Sequence, residues 1–277
     1  MAATGAPAAR SDACGGVATL PMPAQETPTA EPTPAVAPIR APEVAAFREV
    51  LEQKYMYAAW SREELAEWMT YALMPDPEQP EGVVNSVYFD TPGLALYGQK
   101  RASEYLKFKV RLRWYGDAEQ AAAGSAIPCF LEVKRKVGCL RHKQRTATRL
   151  PRQLLAGKAL DRPEIAELAD LAIENRYPEY APLVPMAHIR YRRRRYIDGA
   201  TGARVALDWD IACLWFNDSF LPLEAPVRLD RGVLEVKGTM RHLLRSLDPV
   251  ASLLHKSAFS KYAQCIEKLM NPVGVRI

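Results

Sequence analysis

Residues 105–114 alternate with period two: Leu106, Phe108, Val110, Leu112 and Trp114 are apolar, while Lys107, Lys109, Arg111 and Arg113 are cationic. Alternation of this kind marks a half-buried β-strand. Same-side residues of a strand stand roughly 6.6 Å apart, so four cations in a row repel one another unless an anion lies along them. A solvated outer face would ordinarily mix Lys with Glu. Here the basic pattern returns instead: Glu132, Lys134 and Lys136 share a face, and Arg141, Lys143, Arg145 and Arg149 follow. Arg190, Arg192, Arg193, Arg194 and Arg195 crowd a further strand, and Glu235 and Lys237 repeat the Glu-x-Lys spacing. The chemistry open to such a set is the holding of phosphate oxygens, for which Arg offers a planar fork and Lys a point charge. The strand is expected to line a basic groove or tunnel for a polyphosphate-like anion.

The elements that must position these residues are legible in outline. Glu52, Lys54 and their neighbours in 47–57 read as a first strand. Ser61-x-x-Glu64 is a capping box that opens a helix carrying Leu65, Trp68, Met69, Ala72 and Leu73, stopped by Pro75 and Pro77. Residues 83–90 read as a strand with Ser86, Tyr88 and Asp90 on one face, and Thr91-Pro92-Gly93 turns the chain. Asp90 is read as a cap for that turn. A helix over 163–174 bears the stripe Ile165, Leu168, Leu171 and Ala172. After the Asp198-Gly199 turn, 204–210 runs back with Arg204, Ala206, Asp208 and Asp210 on one side. The stretch 240–270 reads as helical with a break at Pro249, its last helix opening near Ser260 and Lys261.

Seven or eight alternating strands, with helices before, between and after, indicate an α+β fold. There is no Gly-rich phosphate loop and no run of βα units, so a doubly wound nucleotide fold is excluded. Charge on the inward faces suggests closure into a barrel.

Composition agrees with a soluble globular chain: 277 residues, 48% hydrophobic and 25% charged, with net charge +5. Residues 1–40, which hold seven of the 22 prolines, are expected to form a disordered Ala/Pro-rich leader, and 41–277 one folded domain. Cys14, Cys129, Cys139, Cys213 and Cys265 form no Cys-x-x-Cys pair, and the four histidines lack ligand spacing, which argues against a disulfide framework or a zinc site. No run approaches the roughly 18 apolar residues that span a bilayer, and the N-terminus is not a secretory signal. A reducing cytoplasm is the compartment this pattern fits.

Several pieces, taken in order, resemble the VTC domain, the polyphosphate polymerase domain of vacuolar transporter chaperone proteins. That domain belongs to the CYTH, or triphosphate tunnel metalloenzyme, superfamily. The pieces are Glu52-x-Lys54-Tyr55, Ser86-Val87-Tyr88-Phe89-Asp90, Lys109-Val-Arg111-Leu-Arg113-Trp114-Tyr115-Gly116, Glu132-x-Lys134 and Lys143-x-Arg145. They continue with Tyr191-x-Arg193, Arg204 with Leu207-Asp208, Leu234-Glu235-Val236-Lys237, and Phe259-Ser260-Lys261-Tyr262. The resemblance covers about 50–270 and implies an antiparallel eight-stranded β-tunnel with flanking helices. Its implied activity is the transfer of the γ-phosphate of ATP to inorganic polyphosphate, with Mn2+ or Mg2+ as cofactor. Carried over residue by residue, Arg111, Arg113, Arg193, Lys134 and Lys261 would act on the transferred group. Lys54, Lys100, Lys109, Lys143, Tyr191, Arg204 and Ser260 would hold phosphate, and Glu235 the metal. The implied partners are ATP and polyphosphate. The chain has no transmembrane segment of its own in this reading, and a membrane partner protein that receives the polymer is compatible with it.

Tunnel triphosphatases in the same superfamily carry Glu-x-Glu-x-Lys on the first strand, where this chain has Val50, Glu52 and Lys54. Deprotonating water favours extra carboxylates, whereas the end of a polyphosphate chain is already an anionic nucleophile. Val50 therefore favours synthesis. A tunnel triphosphatase or polyphosphatase, supported by Glu132, Asp208 and Asp210, is the second reading. A non-catalytic polyphosphate-binding module is the third. Nucleic-acid binding through the arginine run is the weakest, since no helix-turn-helix or zinc pattern accompanies it.

Overall fold

The computed structural model describes residues 51–102, 105–138, 140–173, 180, 182–221 and 226–270. The leader over 1–40, Val50, Cys14 and Cys139 lie outside these residues. In chain order the elements begin with β1 (Leu51–Ala58), α1 (Arg62–Ala72), β2 (Met74–Pro75), β3 (Glu81–Asp90) and α2 (Ala95–Ala102). Then come β4 (Leu106–Tyr115), β5 (Ala126–Val137), β6 (Leu140–Pro151), α3 (Arg152–Leu155) and α4 (Pro163–Ile173). The last are β7 (Val184–Ile197), β8 (Arg204–Phe216), β9 (Val227–Arg228), β10 (Arg231–Gly238), β11 (His255–Lys256) and α5 (Lys261–Met270).

All strand pairings are antiparallel, and the main path of the sheet is β11-β1-β10-β8-β7-β3-β4-β5-β6, with β2 paired to β7 and β9 to β8. The α+β class holds, but the expected closed tunnel of eight strands does not. Among the described residues the sheet has 11 strands, and its path ends at β6 and β11 without a hydrogen-bonded closure. Three of the 11, β2, β9 and β11, are two-residue strands that sequence alternation cannot reveal.

The sheet nonetheless curls on itself. Six strand steps separate β5 from β1, roughly 29 Å if the sheet were flat. Yet Lys134 on β5 feels the charges of Glu52 on β1 and Lys237 on β10, and Arg141 on β6 lines one cleft together with Glu52 and Lys54. We refer to the enclosed inner space as the bore.

Alternation sorts the residues between bore and core. Phe108, Val110, Leu112 and Trp114 of β4 enter a cluster with Val133, Leu150, Ile165, Leu168 and Ala169, outside the sheet. Tyr55 and Tyr57 of β1 pack on Leu65 and Met69 of α1 in a second cluster. The third lies where α5 meets β3, β7 and β8, through Tyr262, Cys265 and Ile266 against Tyr88, Ile189 and Cys213. Burying such side chains contributes about 1.5–3 kcal/mol each.

Local details depart from expectation where a competing contact wins. Ser61 does not form the capping box; its Oγ donates to the Ala58 carbonyl at 2.9 Å and closes the short 3-10 turn of Ala59–Ser61 instead. In α4 the buried stripe runs Ile165, Leu168, Ala169 and Ile173, and Leu171 is exposed because the helix packs on one face only. The stretch 240–270 is not one broken helix. It holds a 3-10 segment, Arg245–Leu253, which takes Pro249 within it, then β11 and α5. On β8, Asp210 adopts φ 49° at a bulge opposite β7. The extra residue reverses the alternation. Asp208 thus faces the bore, Asp210 turns to solvent, and Ile211 and Cys213 beyond it meet the third cluster.

Candidate phosphate-binding site

Register places the basic residues side by side. Lys109 lies opposite Lys134, which lies opposite Lys143; Arg111 lies between Tyr88 and Glu132; Arg113 lies between Ser86 and Phe130. Among the described bore-facing residues of β4, β5 and β6, Glu132 is the one carboxylate. It spans the cations around it. Arg111 Nε donates to Glu132 Oε2 at 2.7 Å, while Arg113 and Arg145 approach the carboxylate at 3.9 and 3.7 Å. Burial opposes the charge on Glu132, but Arg111, Arg113 and Lys134 outweigh it and hold the carboxyl well below its ordinary range. The cation row of β4 is thus partly neutralised from the next strand, a pairing visible only once the register is known.

The guanidiniums are further held by hydroxyls. Arg113 donates through Nε to Ser86 Oγ and through Nη2 to the Tyr191 hydroxyl, each at 3.2 Å, and Arg111 donates to the Tyr88 hydroxyl at 3.2 Å. Tyr191 is fully enclosed. Burial raises its pKa, but Arg113, Arg193 and Lys261 together bring it below the ordinary phenol value. Lys261 Nζ stands 4.4 Å from the centre of its ring.

A second cluster lies around Asp208. Arg193 grips it with two bonds, Nε to Oδ1 at 2.5 Å and Nη2 to Oδ2 at 2.8 Å, and reaches Glu235 Oε2 at 3.0 Å. Lys261 Nζ donates to Asp208 Oδ2 at 2.5 Å. Tyr57 fixes the strand beneath by donating to the Asp208 carbonyl at 2.8 Å. Gly232 makes room for this: a Cβ there would come within 2.0 Å of the Tyr57 ring. Asp208 therefore acts as a positioning anchor for Arg193 and Lys261, a role the sequence does not signal.

The lysines are less well matched by acids. Burial, with Lys54, Arg111, Lys134 and Lys100, holds the Lys109 amine well below its ordinary value. Arg111 and burial bring Lys134 down to about 7, and burial lowers Lys143. Lys109 Nζ donates to Ser260 Oγ at 3.0 Å, immediately before α5. Ser260 also accepts the first helical bond of α5, from Gln264 N at 2.9 Å, so the helix start faces the amines. Lys54 sits across from Glu235, 3.0 Å from Glu52 Oε1 and 3.5 Å from the Phe259 carbonyl. Lys100, in the last turn of α2, is near enough to depress Lys109. Arg204, opposite Lys237, is exposed at the end of β8. Asp90 serves structure: its carboxylate accepts from the amides of Thr91, Leu96 and Tyr97 and from the Tyr262 hydroxyl.

Whether Glu235 suits a divalent cation follows from the donors beside it. Burial opposes its charge, but Lys237, Lys54 and Arg193 hold it well below the ordinary carboxylate range, and the Glu52 carboxyl is in hydrogen-bonding reach. Among the described residues no three His, Cys, Asp or Glu side chains converge as a metal site. One or two carboxylates suffice for Mg2+ or Mn2+ when phosphate oxygens and water complete the shell. Glu235, with Glu52, fits an ion that arrives with phosphate rather than one caged by protein alone.

Fold and site together define an antiparallel α+β protein with a cation-lined bore suited to chains of phosphate. The chain matches the VTC domain family over residues 49–270 and belongs to that family. No curated protein matches it. Among solved structures it is similar to a Vibrio parahaemolyticus protein provisionally assigned as an adenylate cyclase, at 13% identity and TM-score 0.39, covering 78% of this chain and 97% of that one. Among the described residues no helix is long and apolar enough to cross a membrane.

Proposed function

We propose that the protein is a polyphosphate polymerase that transfers the γ-phosphate of ATP to the end of an inorganic polyphosphate chain. A terminal oxygen of the chain attacks the γ-phosphorus, the bond to the β,γ-bridging oxygen breaks, and ADP leaves. The observation that carries this reading is the cation excess on β4, β5 and β6: Lys109, Arg111, Arg113, Lys134 and Lys143 face one carboxylate, Glu132. Phosphoryl transfer is served mainly by positioning and by stabilising charge on the transferred group. Arg111, Arg113, Arg193, Lys134 and Lys261 are assigned to that group. Lys54, Lys100, Lys109, Lys143, Tyr191, Ser260 and, at the rim, Arg204 hold flanking phosphates. A divalent ion beside Glu235 would add neutralisation of phosphate charge.

Membership of the VTC family supports the substrate class, and two features favour synthesis over hydrolysis. Val50 replaces the first carboxylate of the triphosphatase pattern. Of the three acids that support hydrolysis, Asp210 turns to solvent, and Glu132 and Asp208 are committed to arginines at 2.7 and 2.5 Å, leaving neither of these as a base for water. The test is the fate of a labelled γ-phosphate when the protein is incubated with ATP and Mn2+. Label in a polymer that exopolyphosphatase degrades supports the polymerase, label in orthophosphate the hydrolase, and label remaining on ATP the binding module.

A further inference from the structure

The unclosed edge of the sheet is itself charged. A cleft of about 600 Å³ lies there, lined by Glu52, Lys54, Arg141, Arg241, Lys256 and Ser257 among others. It sits where the path of the sheet ends, between β6, which carries Arg141, and β11, which carries Lys256. It shares Lys54 with the bore, where the charge of this amine depresses Lys109. The single carboxylate lining it among the described residues, Glu52, is already 3.0 Å from Lys54. Arg141, Arg241 and Lys256 therefore leave the cleft strongly positive.

The backbone that carries two of these cations is held by built contacts. The buried Gln53 donates from Nε2 to two carbonyls, Met240 at 2.8 Å and His242 at 3.1 Å, and so clamps the chain on both sides of Arg241. On the other side, Ser257 N donates to the Lys54 carbonyl at 2.9 Å, and Lys256 is paired with Tyr55 of β1. The segments carrying Arg241 and Lys256 are thus both anchored to β1, facing Arg141 across the seam.

We infer that this seam is a second binding lane for inorganic polyphosphate, in which a chain leaving the bore runs sideways between β6 and β11 across Arg141, Arg241 and Lys256. The inference rests on the bore holding polyphosphate. It adds that the polymer need not pass along the whole axis of the bore, because among the described residues no ladder of backbone hydrogen bonds bars the seam. A triphosphate fills only the bore, whereas a long chain also occupies the lane, and its affinity gains from the linked second site.

The experiment compares full-length protein with the Arg241→Glu/Lys256→Glu variant, both exposed positions that leave the core untouched. Tripolyphosphate and a polyphosphate of about 100 units are titrated into each at low salt. The variant is expected to bind tripolyphosphate within twofold of wild type but the long chain at least tenfold more weakly. Arg141→Glu alone is expected to give part of that loss. Equal long-chain affinity in variant and wild type overturns the lane. Equal loss for both ligands also overturns it, since the charges would then act on the bore at large. If wild type binds neither ligand, the polyphosphate reading of the bore falls first and the lane with it.

Discussion

Lys109 on β4 and Ser260 ahead of α5, separated by 151 residues in sequence, are joined by a 3.0 Å hydrogen bond from Nζ to Oγ. The contact ties the start of α5 to an amine that burial and four neighbouring cations make costly to charge. An anion in the bore would relieve that repulsion. A ligand that binds only the folded state raises its apparent stability, so millimolar pyrophosphate at low salt should raise the unfolding temperature. Lys109→Met should leave the free protein as stable or more so, because a crowded buried charge is replaced by an apolar chain. Its pyrophosphate shift should be smaller. An undiminished shift in Lys109→Met would remove Lys109 from the binding surface.

Arg193 and Asp208 make the opposite case, a buried pair whose loss is structural as well as functional. Their side chains are 11% and 0% exposed. Arg193→Ala leaves Asp208 with Lys261 as its remaining charged partner, and breaking a buried pair costs about 3–5 kcal/mol. Urea unfolding should show a loss of that order, and adding Asp208→Asn should restore part of it. A loss below about 1 kcal/mol would mean the pair is more hydrated than its geometry indicates. By contrast Arg111→Ala should lower turnover by roughly 10²-fold, the order expected when one preorganised donor is removed.

The contrast shows which features a sequence carries. The bore face of β4 was legible because Lys107, Lys109, Arg111 and Arg113 alternate with a fully apolar face, and alternation is a local property. The partnership of Arg111 with Glu132 was not, since it depends on the register of β4 against β5. Asp210 was misplaced with Asp208 because a bulge obeys the partner strand and leaves no mark on the local pattern. Ser61 has the residue types of a capping box, but a 3-10 turn captured its hydroxyl first. The open seam arises from tertiary curvature together with the two-residue β11, too short for any periodicity to detect.

Lys134 sets a pH dependence. Arg111 and burial bring its folded pKa down to about 7, below the unfolded lysine value. Between about pH 7 and pH 10 the unfolded chain holds this proton and the folded chain does not, so its contribution makes stability rise with pH across that window. Anion binding has the opposite sign because it favours the charged amine. Sulfate, which does not titrate here, should therefore stabilise the protein more at pH 6.5 than at pH 8.5. Lys134→Met should flatten the difference. A sulfate effect of equal size at both values, in wild type, would show that Lys134 is charged throughout.

Glu235 separates metal from charge. Its carboxylate accepts from Arg193 at 3.0 Å and lies 3.2 Å from Lys237, so replacement by Ala would also loosen the Arg193 clamp. Glu235→Gln keeps an acceptor toward Arg193 while removing the negative oxygen a hard cation needs. The urea midpoint should fall, because Lys54, Arg193 and Lys237 lose the buried charge that offsets them. Metal-dependent transfer from ATP should be lost even at saturating Mn2+, because a neutral amide is a poor ligand for the ion. Pyrophosphate should bind as well or better, because the bore has gained a positive charge. Full turnover at saturating Mn2+ would take Glu235 out of the metal site and move that role to Glu52, its neighbour across the strand pair. Weakened pyrophosphate binding would show instead that Glu235 orders the cations around it, with Arg193 and Lys237 losing their alignment when its charge is gone.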